Sequence, residues 1–98
     1  MSDDDWPFAD AMNVAVYTTA TIVEDGGAIT YVTHDADDGA WQFHGANETG
    51  NLDDARMVSL LTIYRLDPSI GGLADLPPGW HAWRATPDAD WVRAESSD

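Results

Sequence analysis

The segment 28-AITYVTHDADDGAWQFH-44 decides the fold of this chain. Its first seven residues alternate in polarity and are rich in β-branched and aromatic side chains, a pattern that is typical of a strand. Its last five residues alternate as well, so that Trp41 and Phe43 share one face while His44 takes the other. The five residues between these runs end in Gly39, as short hairpin connections often do. The segment therefore predicts a β-hairpin with Trp41 and Phe43 in the core and His44 on the outside.

The remaining elements follow from the same patterns. Further strands are predicted at residues 14–19, 57–60, 80–86 and 91–93. Residues 21–24 fit either one helical turn or a continuation of the first strand, and residues 45–56 fit a polar loop. One short helix is predicted at 61–66, and a second begins at Asp67-Pro68, because Asp caps a helix and Pro fits its first position. Most connections are too short for a crossover helix, so the sequence predicts an α+β fold with a mainly antiparallel sheet of five to six strands and two short helices.

The chain is expected to divide into an arm, one domain and a tail. Residues 1–12 form an acidic N-terminal arm, residues 13–94 a single α+β domain, and residues 95–98 a C-terminal tail. Trp6 and Phe8 are expected to dock the arm onto the domain. No apolar run approaches the ~18 residues that span a bilayer, the N-terminus lacks the basic stretch of a secretory signal, and cysteine is absent. These observations predict a cytoplasmic protein.

The charge of the chain is strongly one-sided. Eighteen acidic residues, fifteen of them Asp, stand against four Arg and no Lys, which gives a formal net charge of -14 at pH 7. This charge repels phosphate backbones and anionic lipid surfaces, so we expect neither a nucleic acid nor a membrane as partner. Two explanations remain for the acids, which are spread along the whole chain. They keep the protein soluble at high salt, in a composition typical of halophiles, or they attract a basic partner protein.

The hairpin segment also contains the densest group of potential metal ligands. The group consists of His34, Asp35, Asp37, Asp38 and His44, and the two histidines would lie near each other if the hairpin pairs them. The alternative, which we favour, is a solvated acidic turn with the histidines on its outer face. The spacing does not fit a calcium loop, because Gly39 occupies position five counted from Asp35 and no Glu occupies position twelve.

The sequence shows no catalytic motif. Ser59 and Ser69 are the serines within residues 13–94, and neither lies in a Gly-x-Ser-x-Gly turn. The glycine pairs at 26–27 and 71–72 are typical of turns, and the chain has no lysine to contact a phosphate. We therefore predict a protein that is not an enzyme, with no catalytic residues, no metal and no cofactor.

Tryptophan is unusually frequent, with five residues in 98. On a strand, Trp80 and Trp83 point to opposite faces, so one enters the core and the other lies at the surface or under another element. An exposed tryptophan flanked by His81 and Arg84 would suit a protein interface, where Trp, Tyr and Arg are enriched. The alternative is that the arm or the helices cover it.

Two motifs in the chain resemble those of a known family. The first is 37-DDGAWQFHG-45, in which Ala40 is an extra residue before Trp41. The second consists of Ile63, Asp67-Pro68-Ser69-Ile70, Leu73, Pro77 or Pro78, Gly79 and Arg84. Together they resemble a bacterial domain family of unknown function that has been grouped with immunity proteins of polymorphic toxin systems, and the resemblance covers residues 14–84. It implies an α+β domain without known catalysis whose members bind and block a toxin.

These observations predict a non-enzymatic protein-binding domain, similar to immunity proteins, that presents acids to a basic partner such as a toxin. The residues expected on or near the contact face are Asp35, Asp37, Asp38, His44 and Trp83. One alternative is a small cytoplasmic domain of regulatory or housekeeping role in a high-salt cell, where the acids serve solvation. The other is a metal-dependent enzyme that uses the hairpin segment. The sequence leaves the oligomeric state open.

Overall fold

A six-stranded sheet and three short helices form the described part of the chain. The structure is a computed structural model and describes residues 6–8, 10–45 and 55–95. The strands are β1 (Ala15–Thr19), β2 (Tyr31–His34), β3 (Trp41–His44), β4 (Ala55–Ser59), β5 (Trp80–Trp83) and β6 (Val92–Glu95). The helices are α1 (Ala20–Val23), α2 (Leu60–Leu66) and one 3-10 helix (Pro68–Leu73). The predicted α+β class is confirmed, and the third helix is the one turn that the sequence left open at residues 21–24.

The sheet is mainly antiparallel, as predicted. Its strand order is β4-β1-β3-β2-β5-β6, and β1 runs parallel to β3 while every other neighbouring pair is antiparallel. The hairpin of β2 and β3 therefore lies at the centre of the sheet. β4 and β6 form its two edges.

The central hairpin closes as its sequence predicts. Val32 pairs with Phe43, and the backbone N–H of Asp35 donates to the carbonyl of Ala40 at 2.8 Å to close the turn. Gly39 has a φ of 72°, in the left-handed region that glycine adopts at little cost. The turn residues thus set the register that directs Trp41 and Phe43 to the same side.

Several predicted boundaries are wrong by a few residues. β2 begins at Tyr31 rather than at residue 28, and β5 ends at Trp83 rather than at residue 86. Arg56, predicted in the 45–56 loop, belongs to β4, and residues 46–54 of that loop lie outside the described residues. Leu60 starts α2 instead of ending a strand, because the Ser59 hydroxyl accepts from the backbone N–H of Thr62 at 3.2 Å and caps the helix.

The core lies between one face of the sheet, here called the inner face, and the helices. Trp41 is 1% exposed and Phe43 is fully buried, which confirms their predicted placement. The helices contribute their own apolar side chains, among them Ile63 from α2 and Ile70 from the 3-10 helix. Asp67 caps the 3-10 helix by accepting from the backbone N–H of Ser69 at 3.1 Å, as predicted for the Asp67-Pro68 start.

The N-terminal arm is docked on the helical side by its aromatic residues. Phe8 is buried in the core and makes edge-to-face contacts with Trp41 and Tyr64. Trp6 packs against the same Tyr64 ring and donates from its indole nitrogen to the Asp10 carbonyl at 2.8 Å. Residues 1–5 and 9 of the arm, and residues 96–98 of the predicted tail, lie outside the described residues.

Candidate protein-binding surface

The opposite side of the sheet is the candidate functional surface, and we call it the outer face. The strand register assigns the following positions to it: Ala15, Tyr17, Thr19, Tyr31, Thr33, Gln42, His44, Ala55, Met57, Ser59, His81, Trp83, Val92 and Ala94. The helices bury their apolar residues against the inner face. The outer face therefore contributes little to the core of the protein.

Most of the exposed large apolar side chains lie on the outer face. Among the described residues, six large hydrophobic side chains are exposed, and five of these belong to the outer face: Tyr17, Tyr31, Met57, Trp83 and Val92. Met57 is 60% exposed, Tyr31 40% and Trp83 39%, whereas the sixth residue, Leu66, lies on α2. Aromatic residues and methionine are enriched at protein interfaces, so this face has the composition of a binding surface.

No strand position of the outer face carries a formal charge. None of its strand positions carries Asp, Glu or Arg, although charged residues make up 22% of the chain. Arg56 and Arg93 lie on the inner side of the two edge strands, since their register partners are Thr18 and Ala82. Depletion of charge at the centre is a second property of protein interfaces.

Tyr31 forms the centre of an aromatic row on this face. In the register, Tyr31 lies directly between His44 on β3 and Trp83 on β5. Its ring centroid is 6.3 Å from the His44 ring and 6.0 Å from the His81 ring, and the His81 ring stacks on Trp83 at 5.2 Å. These contacts hold four rings from three neighbouring strands in one array.

Hydrogen bonds orient the polar side chains beside the aromatic row. The Gln42 amide nitrogen donates to the Asp35 carboxylate at 2.9 Å, and its amide oxygen lies 3.2 Å from Nε2 of His44. Because an amide oxygen only accepts, the His44 Nε2 atom is the donor in this pair. Asp35, a predicted contact residue, is half-buried, and it positions Gln42, which in turn accepts from His44.

Four exposed acids lie at the two ends of the sheet. Asp37 and Asp38, both predicted contact residues, are exposed in the turn between β2 and β3. Asp88 and Asp90 are exposed in the connection between β5 and β6, which leaves the sheet at the opposite end because β5 runs antiparallel to β2. Of the five predicted contact residues, only His44 and Trp83 lie on the outer face itself.

The predicted proximity of His34 and His44 is wrong. His34 pairs with Trp41 at the turn end of the hairpin, whereas His44 pairs with Tyr31 at the far end and on the other face. The His34 ring stacks on Trp41 with 3.9 Å between centroids, and its Nδ1 donates to the carbonyl of Leu76 at 2.8 Å. Among the described residues, no group of three or more His, Asp or Glu side chains is arranged to hold a metal ion.

The sequence suggested that Arg84 accompanies the exposed tryptophan at the surface, but the structure places the Arg84 side chain on the other side of the sheet. Only 5% of this residue is exposed, and its guanidinium lies on the inner side of the sheet. Its Nη2 atom donates to an Asp67 carboxylate oxygen at 2.7 Å, and its Nη1 atom donates to the Ser69 hydroxyl at 2.9 Å. Nε and Nη2 both donate to the carbonyl of Ile29, at 3.0 and 2.8 Å, and the Trp91 ring centroid lies 4.1 Å from Cζ. Arg84 therefore has a structural role that joins β5 to the 3-10 helix.

One carboxyl group on the helical side, that of Asp75, has a lowered pKa. Arg93 donates to Asp75, with 2.8 Å between Nη2 and Oδ1. This hydrogen bond, together with the positive charge of Arg93, lowers the pKa of the exposed Asp75 carboxyl. The pair lies away from the outer face and ties β6 to the segment after the 3-10 helix.

A small open pocket lies on the helical side, with a volume of about 150 Å³. Ile22, Ile29, Leu66 and Asp67 are among its lining residues, and ligand pockets typically measure ~300–1,000 Å³. Its one charged side chain, Asp67, is bound to Arg84. The pocket therefore lacks the convergent polar groups that a small-molecule site requires.

Sequence reasoning missed Tyr17, Tyr31, Met57 and Val92 as surface residues. The signal for Tyr17 and Tyr31 was the period-two alternation of their strands, since each follows or precedes a buried β-branched residue. Met57 and Val92 lie on edge strands with few buried residues, where the alternation is too weak to separate the two faces.

Comparison of the chain with protein-family models, curated proteins and solved structures gives no match. The resemblance to the immunity-protein group therefore stays a prediction that depends on the two sequence motifs. Among the described residues, no helix is long and apolar enough to cross a membrane.

Proposed function

We propose that this chain is a non-enzymatic protein-binding domain that binds its partner through the outer face. One observation carries the proposal. In a chain of net charge -14, a solvent-exposed sheet face holds Tyr, Trp and Met side chains, and none of its strand positions carries a formal charge. Aromatic residues at the centre of a desolvated interface supply most of the binding energy, and charged residues are scarce there.

We infer from the sequence motifs that the partner is a toxin that the domain neutralises. A binding domain of this size needs no active site, because it blocks its target by covering it. The binding role is supported by the exposed apolar side chains of the outer face, which are not part of the core. The alternative of a metal-dependent enzyme is less favoured, because His34 and His44 of the candidate ligand group lie at opposite ends of the hairpin.

Affinity capture with matched variants tests the proposal. The tagged protein is incubated with lysate of its native host at the host's ionic strength, in parallel with Trp83→Ala and Leu66→Ala. Both variants remove one exposed apolar side chain, but only Trp83 belongs to the outer face. We expect one protein to be captured by the parent and by Leu66→Ala and to be lost with Trp83→Ala. Equal capture by both variants would contradict the proposal.

A second candidate is a small domain whose acids serve only solvation at high salt. It is favoured by the absence of lysine and by acids that are spread along the whole chain. The two candidates are distinguished by the stability of the protein at low salt and by its oligomeric state and partner capture at high salt. If the acids serve solvation alone, the protein unfolds at low salt, and at high salt it is a monomer that captures no partner.

A further inference from the structure

We propose that the partner is a basic protein whose cationic groups contact the acids at the two ends of the sheet while its centre covers the outer face. This inference rests on the proposed function and adds the chemistry of the partner. It assigns separate roles to two parts of the surface, the uncharged face and the acidic ends.

The size of the outer face requires contacts beyond it. Six strands spaced at ~4.8 Å, each four to five residues long at ~3.3 Å per residue, cover roughly 400 Å². A stable protein interface buries ~800 Å² on each partner. The ~400 Å² is a projected area, and protruding side chains give a larger accessible surface. We still expect a partner that buries ~800 Å² to extend past the strands, over the turns at one or both ends of the sheet.

Among the described residues, the connections at those ends expose acids and no arginine. The turn between β2 and β3 contributes Asp37 and Asp38, and the connection between β5 and β6 contributes Asp88 and Asp90. The chain has four arginines and no lysine. Arg56 and Arg93 lie on the inner side of the edge strands, and Arg65 lies on α2. Arg84 belongs to the β5–β6 connection, but it is buried and paired with Asp67, so it presents no exposed positive charge there. A partner protein with a basic surface would be complementary in charge to these ends.

A second copy of the chain is not complementary in charge to the acidic ends of the sheet. Two copies that cover each other's outer faces would have to extend over the same turns, which brings Asp37 and Asp38 close to carboxylates of the other copy. Like charges placed opposite each other cost several kcal/mol in an interface. A basic partner avoids this repulsion and gains attraction from the same acids, so it is the occupant that the charges favour.

The two parts of the surface predict separate kinetic effects. Long-range attraction by acids at the ends of the sheet raises the association rate and is screened by salt. The aromatic row forms contacts only after docking, so its loss raises the dissociation rate. An interface of this kind is recognised by which rate constant each substitution changes.

The test uses a photoreactive phenylalanine analogue in place of Met57, the most exposed apolar residue of the outer face. Irradiation in host lysate crosslinks the bound protein, which is identified by mass spectrometry, purified and used as the probe. Association and dissociation rates are then measured by surface plasmon resonance across a range of salt concentrations. Circular dichroism first defines the lowest salt at which the chain is folded.

We expect the association rate to fall at least ~10-fold as salt is raised. Asp37→Asn and Asp88→Asn, one at each end, should each slow association by roughly two- to threefold, with an unchanged dissociation rate. The control Asp25→Asn removes an equal charge beside α1 and should have a smaller effect. Trp83→Ala should dissociate about 30-fold faster, and Leu66→Ala should behave as the parent.

The outcomes separate this inference from the proposed function. Association that does not respond to salt, with a strong effect of Trp83→Ala, overturns the basic partner and leaves the binding face intact. A crosslink to a second copy also overturns the basic partner. An unchanged dissociation rate in Trp83→Ala, or no crosslinked protein at all, overturns both.

Discussion

Replacement of Arg84 by methionine tests whether the buried contacts of this arginine stabilise the fold. The Arg84 side chain is almost completely buried, while that of Asp67 is about a quarter exposed. Methionine keeps much of the volume of the arginine stem but removes the charge and every donor. It leaves Asp67 without its cation and the Ile29 carbonyl without either of its guanidinium donors.

The expected loss follows from these contacts. Removal of one member of a fully buried ion pair costs ~3–5 kcal/mol, because the remaining charge is left uncompensated. Asp67 keeps its hydrogen bonds from the Ser69 backbone and hydroxyl and part of its solvent contact, so we expect a value of about 3 kcal/mol. A small domain has a total stability of ~5–15 kcal/mol, so the variant should unfold at a clearly lower denaturant concentration.

A double-mutant cycle provides the assay. Free energies of unfolding are measured by urea denaturation at fixed salt for the parent, Arg84→Met, Asp67→Asn and the double variant. The double variant should lose at least ~1 kcal/mol less than the sum of the single losses, since the two residues share one interaction. Arg65→Met, on the exposed side of α2, is the control and should change stability by less than ~0.5 kcal/mol. A loss below ~1 kcal/mol in Arg84→Met, or additive losses in the cycle, would refute the reasoning.

Three further predictions concern the hairpin and the perturbed carboxyl. Trp41→Ala should destabilise the domain by ~3–5 kcal/mol in chemical denaturation, because it leaves a cavity in the core. Gly39→Ala should cost about 1 kcal/mol more than Gly39→Asn in the same measurement, since Asn tolerates a left-handed backbone better than Ala does. Arg93→Gln should raise the pKa of the Asp75 carboxyl toward its ordinary value, as followed by NMR titration. Since that pKa is depressed in the folded protein, the stabilisation is present above the ordinary carboxyl pKa and is lost as the pH falls through the folded one.

Local patterns were sufficient to predict the central hairpin and the start of the 3-10 helix. Alternation placed Trp41 and Phe43 in the core, and Gly39 marked the end of the turn, because both effects depend on neighbouring residues alone. The Asp67-Pro68 pair likewise marked the beginning of the 3-10 helix, where Asp67 caps the backbone. Each of these features is encoded within a few residues.

The remaining features depend on contacts between distant parts of the chain. Arg84 binds the carbonyl of Ile29 across 55 positions of sequence, and no local pattern distinguishes it from a surface arginine. The parallel pairing of β1 with β3 depends on how the strands assemble. His34 and His44 are ten positions apart in the sequence, yet the register places them at opposite ends of the hairpin.

The distribution of charge favours the proposed binding face over an account in which the acids serve solvation alone. If the acids served solvation alone, they would be expected on every solvent-exposed surface, including the outer face. At the 22% share found in the whole chain, about three of the outer-face positions would carry a charge, yet none does. Tyr17, Tyr31, Met57 and Trp83 occupy these positions instead, although exposed aromatic side chains reduce the solubility that acids provide. Salt adaptation gives no reason for such a face, whereas a partner that covers it does.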